Sequence, residues 1–506
     1  MNRREALKLI ASGVAATAAA DLPVNVSGAE RVERWTPYEV RLTGPAAGNP
    51  FAEVVMSAEF TQGARTVKVD GFYDGGGAYR VRWMPDELGE WRWVTQSSAK
   101  ELAGTTGSFV CVPPQPRVAG SAPNRGPVGV TDRFHFRYAD GTRYFPFGTT
   151  CYAWVFESDR LQESTLANLA KYGFNKVRMC ILPKVFDAGE PELHPFPMVA
   201  GKLDFSRFEP EFFRHLEMRI RNLGELGIEA DLILFHPYGK PWGYDQMPPE
   251  INERFVRYIL ARLGSQRNVW WSLANEFDLL KGWTTPQWDH LFHVIEQADV
   301  SKHLRSVHYS KVMYDYAQPW VTHASLQTYD FDKTTEWKQA WGKPIVFDEV
   351  QYEGNLWRRW GNLTGEELTR RFWLAVTAGA YCTHGEVIAR KGAKDGLSAD
   401  GGVLLGESPA RIAFLRKLVE ETNLGLEQFP DAYYRSAGRE GELYLYYFDV
   451  HRPANYAFPL PASAKFTAEL IDPWAMTVTP LPGTFSGKSE VDLSERPYQA
   501  VRFRKV

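Results

Sequence analysis

The sequence predicts an α/β chain, a (β/α)8 TIM barrel flanked by N-terminal and C-terminal β-sandwich domains, and three observations carry that prediction. From Phe134 to about Thr422, short apolar runs alternate eight times with helical stretches, as parallel strands and their crossover helices do. Before and after this region, residues alternate with the period of two that marks half-buried strands, in short runs broken by Gly, Pro and Asp. Within it, two apolar runs, NVWWSLANEFD from Asn268 and KPIVFDEVQYEG from Lys343, turn abruptly polar and end on a glutamate. A strand buried on both faces reads as such a run, and its end lies at the rim of the barrel.

Taken in order, residues 1–32 read as a leader. Asn2-Arg3-Arg4-Glu5-Ala6-Leu7-Lys8 precedes an alanine-rich apolar stretch ending in Ala18, Ala19 and Ala20, an arrangement similar to a twin-arginine export signal. The stretch is too short for a membrane anchor, so a periplasmic or secreted location is expected. Residues 33–113 carry strand patterns at 38–42, 51–60, 66–69, 79–83, 90–94 and 108–110, which suggests an immunoglobulin-like sandwich. Residues 114–133, rich in Pro, Gly, Ala and Ser, read as a linker.

The barrel is expected over 134–426, with strands near 144–154, 176–182, 228–235, 268–276, 305–309, 321–327, 345–347, which delivers Glu349, and 380–387. Its helices announce themselves by stripe and punctuation. Phe213, Leu216, Ile220 and Leu223 recur at helical spacing; Thr285-Pro286 and Ser408-Pro409 start helices, and Thr364 with Glu367 forms a capping box. The glycine-rich loop 391–406 suggests a cover over a site. Residues 427–506 return to strand patterns and make the second sandwich.

Composition narrows the function. The chain has 506 residues, 44% of them hydrophobic, and a net charge of −3, with no basic surplus to hold nucleic acid. Cys111, Cys151, Cys180 and Cys382 form no close-spaced metal or redox motif, and buried free thiols are expected. Aromatic residues reach 14%, and their flat faces suit both core packing and sugar rings.

The two strand-end glutamates, Glu276 after Asn275 and Glu349 three βα units later, resemble the acid/base and nucleophile of clan-A retaining glycoside hydrolases. The order of domains is similar to bacterial proteins with an apiosidase-like barrel. The resemblance implies Glu276 as acid/base, Glu349 as nucleophile, and Asn275 as a contact to the sugar hydroxyl beside the reacting carbon. Arg178, near the end of strand two, is placed to hold Glu349 ionised. Asp348 alternates to the other face of its strand and is expected to be structural, while Asp278 is placed to orient Glu276.

Trp154, His236, Tyr238, Trp242, His308, Tyr309, Tyr352 and His384 fall near strand ends and are candidate substrate contacts. Where clan A ends strand eight with a tryptophan under the sugar, this sequence has Thr383-His384-Gly385-Glu386, which points to a charged or otherwise unusual sugar. The partner expected is a poly- or oligosaccharide, with no cofactor and no metal. Two alternatives stay open: a non-catalytic carbohydrate-binding protein, and a metal-dependent hydrolase that uses the strand-end histidines His236, His308, His323 and His384.

Overall fold

The computed structural model describes residues 30–118, 120–184, 191–389 and 401–506. The twin-arginine leader and most of the loop expected at 391–406 lie outside the described residues. Eight parallel strands form the central sheet: β1 Phe147–Thr150, β2 Lys176–Cys180, β3 Glu229–Phe235, β4 Val269–Ala274, β5 Arg305–Ser306, β6 Ala324–Gln327, β7 Ile345–Glu349 and β8 Tyr381–His384. They neighbour one another in chain order, except that β5 and β6 meet only through a parallel bridge between His308 and Ser325, which closes the barrel. Nearly every strand residue is buried, because side chains facing inward fill the barrel and those facing outward meet helices.

Seven helices surround the sheet: α1 Asp159–Tyr172, α2 Pro210–Glu225, α3 Pro249–Leu263, α4 Thr285–Ala298, α5 Thr334–Trp341, α6 Gly365–Thr377 and α7 Ser408–Glu420. The strict eightfold alternation expected from sequence fails between β5 and β6, where no helix occurs among the described residues. There Tyr316 substitutes for one, donating its hydroxyl to the carbonyls of Val307 and Ser325 and so tying the two strands across the gap. Strand β1 is also shorter than expected. Beyond Thr150 the chain turns into a 3-10 helix, Trp154–Phe156, with the Trp154 amide bonded to the Cys151 carbonyl.

An antiparallel ribbon of Val128–Thr131, His135–Tyr138 and Arg143–Tyr144 seals the N-terminal end of the barrel, with Phe136 packed 5.3 Å from both Trp270 and Tyr381. It begins inside the segment read as linker. All four cysteines are buried, and none is joined to another in a disulfide.

The N-terminal domain is two sheets joined by a shared strand, Arg65–Tyr73, whose first part pairs with Met56–Gln62 and whose end pairs with Ala78–Trp83. Gly71 sits at the crossover, where a Cβ would come within 2.9 Å of the Arg80 carbonyl. Phe60, Trp83, Trp91 and Phe109 fill the core between the sheets. Glu30–Glu33 pairs in parallel with the strand at Phe109–Val112, so this domain starts before residue 33 and takes in the end of the expected leader segment. It docks on the barrel through Arg262, bonded to Asp74 at 2.8 Å, and through Tyr258, whose hydroxyl donates to the Tyr73 carbonyl. The C-terminal domain, a six-stranded sheet with a separate antiparallel pair of Asn455–Pro459 and Lys488–Asp492, docks on α6 by stacking Tyr447 on Trp373 at 5.2 Å.

Inside the barrel the floor of the cleft is ionic. The Lys176 ammonium reaches Asp348 at 2.7 Å and Asp231 at 2.8 Å, and Arg178 lies 3.5 Å from Asp348 and 3.8 Å from Asp231. Ser325 and Thr383 donate to the same Asp348 carboxylate. Burial alone would raise the Asp348 pKa, but Lys176 and Arg178 outweigh it and hold the group far below the ordinary carboxylate range. Two cations thus balance two anions, each less than 5% exposed. Removing one leaves an uncompensated buried charge, so Lys176→Met should cost about 3–5 kcal/mol of folding stability, read as a fall in the urea midpoint. A variant as stable as the wild type would refute this account of the barrel floor.

Candidate active site

Strand β4 carries Asn275 and Glu276 out of the barrel, and the backbone turns sharply to present the acid. Asn275 still bonds to the Phe235 carbonyl as a strand residue would, and the Phe277 amide already bonds to the His308 carbonyl. Between them Glu276 takes a left-handed conformation, φ 49° and ψ 52°. For a residue with a Cβ this costs about 1 kcal/mol or more, a strain typical of functional positions. The Glu276 Oε1 accepts a hydrogen bond from the Gln327 amide at 3.1 Å, while Oε2 meets no partner among the described residues. Burial first, and then the nearby charge of Glu349, push its pKa up to about 7.

Glu349 ends β7 with a different environment. Its Oε1 accepts from the Tyr152 hydroxyl at 2.5 Å and its Oε2 from the Trp360 indole at 3.2 Å. The Tyr352 hydroxyl lies 3.1 Å from that of Tyr152, completing a short chain of hydroxyls beside the carboxylate. Burial and the neighbouring Glu349 raise the Tyr152 hydroxyl well above the ordinary tyrosine range, so it serves as a donor. Asp348 faces the other way into the barrel floor, as the alternation of a strand requires.

Both glutamates line one open cleft of about 320 Å³ at the C-terminal end of the barrel, together with Asn275, Gln327, Tyr152, Tyr238, Tyr352, Trp360, Lys184 and Arg358. A second cavity, about 390 Å³, opens elsewhere around Glu229 and Arg267 and holds neither glutamate. Arg178 lies on β2 where the sequence reading put it, near enough to Glu349 for their charges to interact, but its hydrogen bond goes elsewhere. Its guanidinium donates to the Asn275 side-chain oxygen at 3.0 Å rather than to Glu349, which fixes the Asn275 amide with its oxygen toward the floor. Asp278 likewise does not orient Glu276; its carboxylate accepts the backbone amides of Ser310, Lys311 and Val312 and ties down the loop after β5.

Several expected contacts are not in the cleft. Trp154 is fully buried, its indole bonded to the Gln162 carbonyl, so it is core rather than platform. Trp242 packs against His194 and Tyr244, and Tyr309 is buried beside His308. His236 shapes the loop: one ring nitrogen accepts from the Tyr238 amide and the other bonds to the Leu182 carbonyl, and burial lowers its pKa to about 4. His308 is buried near Arg178, and burial together with that charge keeps it well below its usual pKa. His384 stacks on Phe174 outside the barrel and bonds to Thr149.

The histidines therefore do not converge on the cleft. His384 does lie with Glu353 and Glu386 in a cluster whose ligand-type atoms are within 4.8 Å of one another. However, both carboxylates there accept backbone amides from Leu405 to Ser408, at the start of α7, and this is a fastening for that helix. Of the residues the sequence reading missed, Gln327 ends the strand predicted at 321–327, and Tyr152 lies two residues from Trp154. Lys184, Arg358 and Trp360 lie on loops whose course no periodicity reveals.

The model of the apiosidase-like catalytic domain matches residues 131–386, and two models of domains of unknown function match residues 31–98 and 433–504. Among solved structures, a Bacteroides vulgatus protein described as a presumed glycoside hydrolase is 38% identical, with a TM-score of 0.89 over 94% of this chain and 100% of that one. A glycoside hydrolase of family 5, also from Bacteroides vulgatus, shares the fold at 16% identity, with a TM-score of 0.60 over 75% of this chain and 94% of that one. No curated protein matches the sequence significantly. With the family match taking in all eight barrel strands and half of the chain, and the 38% identical relative covered from end to end, the chain belongs to the apiosidase-like family.

Proposed function

We propose that the protein is a retaining glycoside hydrolase that cleaves a glycosidic bond in a polysaccharide or derived oligosaccharide by double displacement. The observation that carries the reading is the pairing, in one cleft, of two strand-end carboxyl groups with unlike surroundings. Glu276, with its pKa raised to about 7 and one oxygen unbonded, is the acid that gives its proton to the leaving oxygen and later takes one from water. Glu349, held by Tyr152 and Trp360, is the nucleophile that attacks the anomeric carbon and forms the glycosyl ester. Asn275, oriented by Arg178, offers its amide NH2 to the hydroxyl next to the reacting carbon. The similarity to glycoside hydrolases in fold and sequence supports the same reading. The leader at residues 2–20 would place this activity outside the cytoplasm.

Glu349→Gln should lower kcat by on the order of 10⁴-fold on a cleaved glycan while leaving the thermal midpoint within a few degrees. NMR of early products should show the anomeric configuration preserved; an inverted product would overturn the double displacement.

The raised pKa of Glu276 sets two pH dependences. The catalytic proton is present below about pH 7 and lost above it, so kcat/KM should fall on the alkaline side through that value. For stability the sign is also fixed. The folded group binds its proton more tightly than the unfolded one, whose pKa is about 4.3, so stability declines as pH rises from there through about 7. Glu276→Gln should therefore raise the melting temperature more at pH 8 than at pH 4, and an equal gain at both would show that the carboxylate carries no burial penalty.

A further inference from the structure

We propose that the barrel carries a second binding site at the N-terminal end of its strands, where a polar cavity takes a small oxyanion, a carboxylate or a phosphate, on Arg267, Tyr138 and Glu229. This site is separate from the cleft and does not depend on the hydrolase reading.

The cavity, about 390 Å³ in volume, has room for about a dozen waters. The antiparallel ribbon and the segment before it form one wall; Asn175, Glu229 and Asn268, where β2, β3 and β4 begin, form another, and Arg416 and Glu420 of α7 a third. Glu229 opens the seven residues of β3, so the length of that strand, about 20 Å, separates the cavity from the cleft.

Three side chains in this wall have donor capacity to spare. Glu229 is only 3% exposed, its Oε2 accepts from the Trp270 indole at 3.1 Å, and among the described residues no donor meets Oε1. Burial pushes its pKa up to about 8, against the Trp270 hydrogen bond and the charges of Arg267 and His303, so at neutral pH the carboxyl keeps its proton. Burial, followed by the charge of Glu229, also raises the Tyr138 hydroxyl, which remains a donor. The Arg267 guanidinium makes one side-chain hydrogen bond among the described residues, to the Gly224 carbonyl at 3.2 Å, and no ion pair. Burial works against its charge, Glu229 supports it and Arg117 opposes it again.

The other arginines of the wall are matched: Arg416 with Glu420 at 2.7 Å, Arg143 with Asp132 at 2.7 Å and Arg125 with Asp140 at 3.2 Å. Arg267 is therefore the cation whose counter-charge is missing, and Tyr138 and Glu229 both lie near enough to interact with it. An oxyanion supplies the charge, takes the guanidinium in a fork of two hydrogen bonds and accepts from the phenol and the protonated carboxyl as well. A neutral sugar needs acceptors in return, and Asn175 has none to give: its side chain accepts from the Phe147 amide and donates to the Phe145 carbonyl. A metal cation would face a guanidinium.

The test is calorimetry on the full chain at neutral pH, with inorganic phosphate and citrate as probes and glucose as the neutral control. At least one anion should bind tenfold or more tighter than glucose, and more weakly as salt rises. Binding of phosphate alone would assign the site to phosphate esters, and of citrate alone to polycarboxylates. Arg267→Gln should weaken the bound anion at least tenfold, and Arg267→Lys, which keeps the charge but not the fork, should weaken it less. Glu229→Gln, neutral and of the same shape, should hold the affinity within about threefold, as should Lys184→Gln in the cleft. Thermal midpoints show that each variant is folded. The proposal is overturned if neither anion outbinds glucose, if a folded Arg267 variant binds like the wild type, if Glu229→Gln abolishes binding, or if Lys184→Gln does, which would place the anion in the cleft.

Discussion

The contact on which the site depends is the one between the Lys176 ammonium and the Asp348 carboxylate, 2.7 Å long and sealed inside the barrel. A charge there is tolerable only because a second pair, Arg178 and Asp231, completes a neutral set and hydroxyls from two further strands fill the remaining acceptor positions. The set draws on β2, β3, β6, β7 and β8, so it joins elements that share few neighbours in sequence. Its outermost member, Arg178, grips Asn275 and thereby transmits the register of the floor to the residue next to the acid. A purely apolar filling would pack the barrel as well but would give Asn275 nothing to orient it.

Above that floor, two residues of the same type sit in unlike surroundings. Glu276 sits in a strained turn with one amide donor for company, and burial together with a nearby negative charge favours its protonated form. Glu349 is met by a phenol and an indole, both donors and both committed to it. Neither arrangement favours folding by itself: a left-handed glutamate and a half-desolvated carboxyl are both costs, tolerated because the parallel strands around them are buried and rigid.

The sequence was most informative where a strand ran directly into chemistry. Asn275, Glu276, Glu349 and Tyr352 were legible because an apolar run that ends in polar residues specifies both an element and its exit point. Side chains that act across the barrel were not. Arg178 sits at the predicted place on β2, yet whether it meets Glu349 or Asn275 depends on how far the strands are staggered, which no local pattern records. Trp154 and Tyr152 differ by two positions, and only the 3-10 turn after a short β1 sends one inward to the core and the other to the cleft. Tyr316 in place of a helix was illegible for the same reason, since a single hydroxyl bridging two strands leaves no periodicity.

The backbone bonds that pinch off residues 355–361 divide one loop into parts with different obligations. Trp360, near its base, donates to Glu349 and has little freedom to change, whereas Trp357 and Arg358 are exposed at the tip and, among the described residues, their side chains make no hydrogen bond or ion pair. Drift at the tip can therefore change the rim of the cleft without disturbing the donors that meet Glu349. In a lineage exposed to chemically varied glycans, this is where diversification would meet the least resistance.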